Sequence, residues 1–294
     1  MKTLVFSYPG NESLAAKVRE GLAAEEGRLV IRHFPDGESY VQVISDVAGK
    51  HLIVVATLHQ PDDKFLPLVF LLQLLKESRA RKITLVSPYL AYMRQDKKFK
   101  VGEAITSTYF AALLSRFIDE LITIDPHLHR RSSMAEIYTV PCIVEHAAPL
   151  VSEWIKNSVI APVLIGPDSE SEQWVSSVAK DANAPYLVLD KQRLGDREVS
   201  VSVPNLTQFK AYTPVLIDDI ISTARTMIAG LQHFKKTEMQ KPVCIGVHGV
   251  FSGNAFEELL EAGASRVVTS NSIPHVSNQI DLSSLVIKAL RRND

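Results

Sequence analysis

The strongest constraint on this chain is an order that runs twice. Short apolar, β-rich runs alternate with runs of helical period over one half of the 294 residues, and again over the other. Thr3 to Phe6 reads as a strand. Asn11 reads as the cap of a helix with Leu14, Ala15, Val18 and Leu22 on one face. RLVIRHFPDGESYVQVI reads as a hairpin turning near Asp36-Gly37. HLIVVATL, KITLVSPYL and LITIDPH are strands, separated by the apolar helices FLPLVFLLQLLKES and ITSTYFAALLSRF. Pro141 and the stretch Ala147 to Trp154 lead into the second half. There PVLIGPD, APYLVLDKQR, EVSVSV, TPVLIDD, PVCIGVHGVF and RVVTSNS are strands, SEQWVSSVAKDA is a helix, and a last helix runs near Leu282 to Arg292. Parallel sheets flanked by helices are the economical answer to such an order.

The halves match in organisation more than in letters. HLIVVATLHQPDD, an apolar helix and KITLVSPY correspond to TPVLIDDIIST, a helix and PVCIGVHG. The expectation is two tandem α/β domains, residues 1–145 and 146–294. The composition, 46% apolar and 22% charged, suits a soluble protein with a sizeable core. A net charge of -1 sets up no field for nucleic acid or an anionic membrane, and no apolar run approaches membrane-spanning length. Cys142 and Cys244 form no C-x-x-C motif, and a reducing cytoplasm is the simpler setting.

Chemistry concentrates at strand ends. LIDDIISTART places Asp218 and Asp219 at the end of a strand, followed by Ser222, Thr223, Ala224, Arg225 and Thr226 before a helix. Carboxylates there can accept hydrogen bonds from vicinal sugar hydroxyls, while hydroxyl groups and helix N–H groups receive a phosphate. Met227, Ile228, Leu231 and Phe234 form that helix's buried face. Read alone, the two acids would be a helix cap; the attached S-T-A-x-T shifts the balance to a ligand loop.

PYLAYMRQDKKFKVGEAITS follows another strand. It gathers Arg94, Lys97, Lys98 and Lys100 beside Gln95 and Asp96, which on its own fits a solvated loop equally well. DPHLHRR puts His127 just past a strand, with His129 on the same side if the strand continues; too few further ligands follow for a zinc site. GPDSES places Asp168 at what reads as the equivalent position of the second half. DKQRLGDREVSVSV carries Lys191 and Arg193 before a polar turn, by spacing alone an ordinary exposed hairpin. Together these pieces point to polyphosphate chemistry on a phosphosugar, without a P-loop.

The set resembles the ribose-phosphate pyrophosphokinase (phosphoribosyl pyrophosphate synthetase) family, nearer its shorter archaeal-type branch. FPDGE is similar to the family's F-x-D/N-G-E, YMRQDKKFKVGEAIT to its R-Q-D segment, DPHLH to D-L-H-A, GPDSES to x-P-D-x-G, and DKQR to K-x-R. DDIISTART is similar to the ribose 5-phosphate loop, and HGVFSGNA is also family-like. The resemblance implies two phosphoribosyltransferase-type domains and transfer of diphosphate from ATP to O1 of ribose 5-phosphate, giving phosphoribosyl pyrophosphate and AMP. It implies ATP contacts from Asp36 and Glu38 of a neighbouring subunit and from Arg94, Gln95, Asp96 and Lys98. It implies Mg²⁺ at His127 and Asp168, catalytic roles for Lys191 and Arg193, and ribose 5-phosphate on Asp218, Asp219 and Ser222 to Thr226. A homodimer or larger homo-oligomer follows from the shared site.

This chain departs from the family in two places. Arg225 stands where the family loop has glycine, and Ser169, Glu170 and Ser171 stand where it has small residues after x-P-D. Arg225 either supplies a cation to the phosphate or crowds the loop, according to whether position 225 needs positive φ. The second alternative would make the chain a regulatory paralogue.

Overall fold

The computed structural model describes residues 2–167, 171–193, 199–202, 207–235, 237 and 239–292. The chain divides into two compact units, Met1–His146 with Leu282–Asp294, and Ala147–Asp281.

The first unit holds β1 (Thr3–Ser7), α1 (Glu12–Leu22), β2 (Glu25–Gly27), the hairpin of β3 (Leu29–His33) and β4 (Ser39–Val43), and β5 (His51–Val55). It continues through α2 (Asp62–Glu77), β6 (Lys82–Ser87), α3 (Thr106–Leu114), β7 (Glu120–Ile124) and β8 (Cys142–Glu145). The second holds α4 (Ala148–Ser158), β9 (Pro162–Gly166), α5 (Glu172–Ala182), β10 (Tyr186–Val188), and the hairpin of β11 (Asp190–Arg193) and β12 (Val199–Ser202). It ends with β13 (Thr213–Ile221), α6 (Arg225–Phe234), β14 (Val243–Gly249), α7 (Ala255–Glu261), β15 (Arg266–Ser270) and β16 (Asn278–Ile280).

Both main sheets are wholly parallel among the described residues. Their orders are β2-β1-β5-β6-β7-β8 and β10-β9-β13-β14-β15-β16, the same order in each half, and each half has its own two-stranded antiparallel hairpin. The repeat expected from the sequence is thus a repeat of topology. Central strands are covered on both faces: every residue of His51–Val55, Glu120–Ile124 and Val243–Gly249 is buried. That is why these strands are near-continuous apolar runs rather than alternating ones.

α4 opens the second unit, as expected, and the last helix of the chain groups with the first. In the second unit Ser152 Oγ of α4 reaches the Val178 carbonyl of α5 at 3.1 Å. The helix α8 (Ser283–Arg291) follows β16 but groups with the first unit. There Arg291 Nη2 donates to the Gly21 carbonyl at 2.6 Å, and a Cβ at Gly21 would overlap the Ile287 side chain. Residues 282–294 therefore do not fold with the expected 146–294 unit.

Two local expectations are corrected. Asn11 does not cap α1 with its side chain. Its amide donates to the Tyr8 carbonyl at 3.1 Å and its oxygen accepts from the Thr57 N–H at 2.9 Å, which ties the loop after β1 to the end of β5. And the segment after β9 is topologically equivalent to the one after β1, not to the DPH segment after β7, so GPDSES and DPHLH are not counterparts.

Candidate active site

In each unit the strand order reverses once, between β1 and β5 and between β9 and β13. Ligands of open α/β sheets settle at the carboxyl ends of strands beside such a reversal. The Asp218–Thr226 segment leaves β13 at that point. Asp218 and Asp219 are partly exposed, and the Asp219 N–H donates to Asp218 Oδ1 at 2.9 Å. Ser222 Oγ lies 3.0 Å from Ser252 Oγ, and the Ser252 N–H donates to the Ser222 carbonyl at 3.1 Å. The HGVFSGNA segment after β14 thus braces the loop. Phe251, at φ 44°, packs its ring 4.6 Å from His275 and 5.5 Å from Phe256.

The left-handed residue of the loop is Ala224, with φ 55°, and Arg225 is the exposed first residue of α6. Position 225 therefore needs no positive φ, and a side chain there carries no backbone cost, because a helical backbone accepts any Cβ. Ala224 itself is the smallest side chain able to sit at that turn. Thr226 is partly buried and Thr223 exposed, beside the first-turn N–H groups of α6, which have no intrahelical partners.

Lys191 and Arg193 lie on β11, in register with Val201 and Val199 of β12. Asp168, Ser169 and Glu170 lie outside the described residues. Gly166 just before them is fixed by close approach: a Cβ there would meet Ser171 Oγ at 2.8 Å and Val175 Cγ2 at 2.9 Å.

In the first unit the loop after β6 is pinned before it reaches its charged part. Tyr89, Leu90, Ala91 and Met93 are buried, and the Tyr92 hydroxyl donates to Asp62 Oδ1. That hydrogen bond, with burial and the charge behind it, raises the Tyr92 phenol to about 12. Arg94, Lys97, Lys98 and Lys100 are exposed. Gln95 is held at both ends: its side-chain oxygen accepts from Thr106 Oγ1 at 3.2 Å and its carbonyl from Ser107 Oγ at 2.9 Å. Asp96 has a side chain only 2% exposed, paired with Arg130 Nη1 at 3.3 Å. Arg131 Nη2 reaches the Asp96 carbonyl, Ser107 Oγ and Thr108 Oγ1 at 3.1 to 3.3 Å. Arg130 and Arg131 therefore fasten the loop after β7 to the loop after β6. Sequence reading gave them no role, since Asp96, which both contact, lies 34 and 35 residues away.

His127 is presented by a turn rather than by a continuing strand. β7 ends at Ile124; Asp125 (φ 38°) and His127 (φ 57°) are both left-handed, and the His127 N–H closes on the Asp125 carbonyl at 2.9 Å. The His127 and His129 rings still meet, with centroids 4.0 Å apart, but through the turn and not through strand alternation. The buried Asp125 carboxylate lies 2.8 Å from His146 Nδ1. That hydrogen bond raises the His146 pKa against the opposing effect of burial.

On the β3–β4 hairpin, Gly37 supplies φ 92° at the turn and the Glu38 N–H donates to Asp36 Oδ1 at 3.2 Å. Asp36 and Glu38 are exposed. The Arg32 guanidinium sits 4.6 Å from the Phe34 ring centre and 4.4 Å from that of Tyr40, so the exposed Phe34 ring is backed by a cation.

Two family models match the chain. The N-terminal domain of ribose phosphate pyrophosphokinase covers residues 3–117, and the phosphoribosyl transferase domain covers residues 133–284. The chain is 32% identical to a ribose-phosphate pyrophosphokinase of Sulfurisphaera tokodaii, over 86% of this chain and 87% of that one. It is 31% identical to the Pyrococcus furiosus protein of the same name, over 94% and 98%. A crystal structure of phosphoribosylpyrophosphate synthetase from Mycobacterium smegmatis superposes over the whole of both chains with a TM-score of 0.86 at 24% identity, which establishes the shared fold. Two parallel-sheet units of one topology, the loop motifs at their strand ends and these relatives agree: the chain belongs to the ribose-phosphate pyrophosphokinase family.

Proposed function

We propose that this chain carries out its family's reaction, transfer of diphosphate from ATP to O1 of ribose 5-phosphate, with its two units dividing the substrates. The observation that carries this reading is the position of the Asp218–Thr226 loop. It leaves β13 beside β9, where the sheet order reverses, and runs through left-handed Ala224 into the N-terminus of α6. Asp218 and Asp219 accept hydrogen bonds from the vicinal ribose hydroxyls. Ser222, Thr223, Thr226 and the N–H groups of the first turn of α6 receive the 5-phosphate. Arg225, at the start of the helix, adds a guanidinium suited to a dianion.

The first unit supplies the ATP residues. Arg94 and Lys98 are exposed cations for the phosphates, on a loop that Gln95 and Asp96 hold in place. Asp36 and Glu38 on the β3–β4 hairpin read the adenine of a neighbouring subunit, which makes the working form a homodimer or larger. Lys191 and Arg193 stabilise charge on the group in flight, the main task in phosphoryl-type transfer.

The donors fit a divalent cation. His127 is turned out of its strand end and partly exposed, and Mg²⁺ needs few protein ligands when substrate phosphates complete its shell. His127 and Asp168 would serve the magnesium sites, where the bound metal would neutralise phosphate charge. No described helix is long and apolar enough to cross a membrane; the reading places the chain in the cytoplasm.

Asp218→Asn and Asp219→Asn test the division. An amide brings donors of its own where the carboxylate only accepts. Each variant should raise the KM for ribose 5-phosphate and leave that for ATP in place. A change confined to ATP would refute the assignment.

A further inference from the structure

We propose that His146 is a positioning residue for His127: it holds the Asp125 carboxylate, and through it the left-handed turn that presents the His127 imidazole. The inference rests on the reading of His127 as a metal ligand and extends it to a side chain remote in sequence.

The turn is costly. Asp125 and His127 are not glycine, yet both take positive φ, 38° and 57°. Such residues persist when the surrounding structure over-determines them. Three contacts do so here. The His127 N–H closes on the Asp125 carbonyl at 2.9 Å around Pro126, whose ring fixes its own φ. The Asp125 N–H donates to the Glu145 carbonyl at 3.1 Å. The Asp125 carboxylate meets His146 Nδ1 at 2.8 Å.

The third contact extends the sheet by one step. Ile124 and Glu145 form the last rung of the β7–β8 ladder, and Asp125 and His146 are the residues just beyond it on each strand. Backbone pairing ends, and a side-chain pair takes its place. The far side is anchored as well: Glu145 is buried, and its carboxylate receives Arg292 Nη1 at 2.6 Å. The end of β8 is thus a fixed post. His146 passes that fixity to Asp125, two residues before the imidazole. Partners that orient a ligand at one remove commonly change metal affinity or activity by about 10–100-fold when removed.

The test uses the full chain, labelled with ¹³C in its histidine rings, and Mn²⁺ alone as the probe. Paramagnetic broadening of the His127 ring signal reports metal arrival without turnover. His146→Ala should need about ten-fold more Mn²⁺ for the same broadening. His146→Asn places an amide donor near the position of Nδ1 and should respond like the unaltered protein. The KM for ribose 5-phosphate should stay unchanged in both. If the alanine variant unfolds, His146→Phe fills the space without donating and replaces it. Equal broadening in the non-donating variant would overturn the proposal, as would an asparagine variant as weak as alanine. A His127 signal that Mn²⁺ never broadens in the unaltered protein would instead remove the metal role of His127, and the proposal with it.

Discussion

Ala224 takes the left-handed backbone, at φ 55°, and Arg225 beside it opens α6 with helical geometry. The family's glycine position thus tolerates a side chain here, because the residue before it makes the turn. Arg225→Gly should weaken ribose 5-phosphate binding by about 1.5–3 kcal/mol, the scale of a charged hydrogen bond. Calorimetric titration checks this. Tighter binding by the glycine variant would mean that the side chain obstructs the loop.

Asp96 and Arg130 make a second testable pair. The Asp96 side chain is 2% exposed, while Arg130 keeps 34% of its surface, so solvent screens part of the attraction. Asp96→Asn should cost about 1–3 kcal/mol in urea unfolding, since it leaves a charged partner poorly paired. The KM for ATP should rise with it, because the loop carrying Arg94 and Lys98 loses its tie. An unchanged unfolding midpoint would make the pair incidental.

Lys191 is expected to act in the transition state. Lys191→Ala should lower kcat by about two to three orders of magnitude, with much smaller effects on either KM. Steady-state kinetics decides, and an unchanged kcat would leave the β11–β12 hairpin a structural element only.

Protonation offers a fourth test, at the loop that follows β5. Lys64 Nζ lies 3.0 Å from His59 Nδ1. Burial first, then the Lys64 charge, lowers His59 from 6.5 to about 4. Burial lowers Lys64 from 10.5 to about 8, against a smaller opposing pull from Asp63. Between about 4 and 6.5, and again between about 8 and 10.5, the unfolded chain binds protons that the folded chain does not. The contribution of each group to stability should therefore rise with pH across its own window, while the Cys142 and Cys244 thiols, raised by burial, contribute a fall above about 9. Lys64→Met should abolish the upper rise, and urea midpoints across the range check it. Identical pH profiles for Lys64→Met and the unaltered chain between 8 and 10.5 would contradict the assignment.

Much of this was legible in the sequence, for physical reasons. Strands buried on both faces leave unbroken apolar runs such as HLIVV, and helices on those faces leave helical-period runs such as VFLLQLL. The hairpin showed through its Asp36-Gly37 turn, and the strand-end motifs showed because loop chemistry is local. What stayed hidden was non-local. The return of α8 to the first unit leaves no trace in its letters, since it keeps an ordinary amphipathic pattern. Arg130 and Arg131 meet Asp96 across 34 and 35 positions. His146 meets Asp125 across 21. Which residue of the phosphate loop is left-handed was also left open, because a helix start cannot be fixed to a single residue by pattern; it is Ala224.

The hairpin assignment has its own test. If Asp36 and Glu38 serve a neighbouring subunit, an Asp36→Asn/Glu38→Gln chain mixed with a Lys191→Ala chain should regain activity that neither has alone. Mixtures that stay silent under conditions of subunit exchange would place both groups in one subunit's site.

The most direct measurement is turnover itself. The purified chain, given ATP, Mg²⁺ and ribose 5-phosphate, should release AMP and form phosphoribosyl pyrophosphate in equal amounts, and omitting the sugar phosphate should stop AMP release. A folded chain that binds both substrates yet forms neither product would contradict the account, and would return Arg225 and the loop around it to a regulatory role.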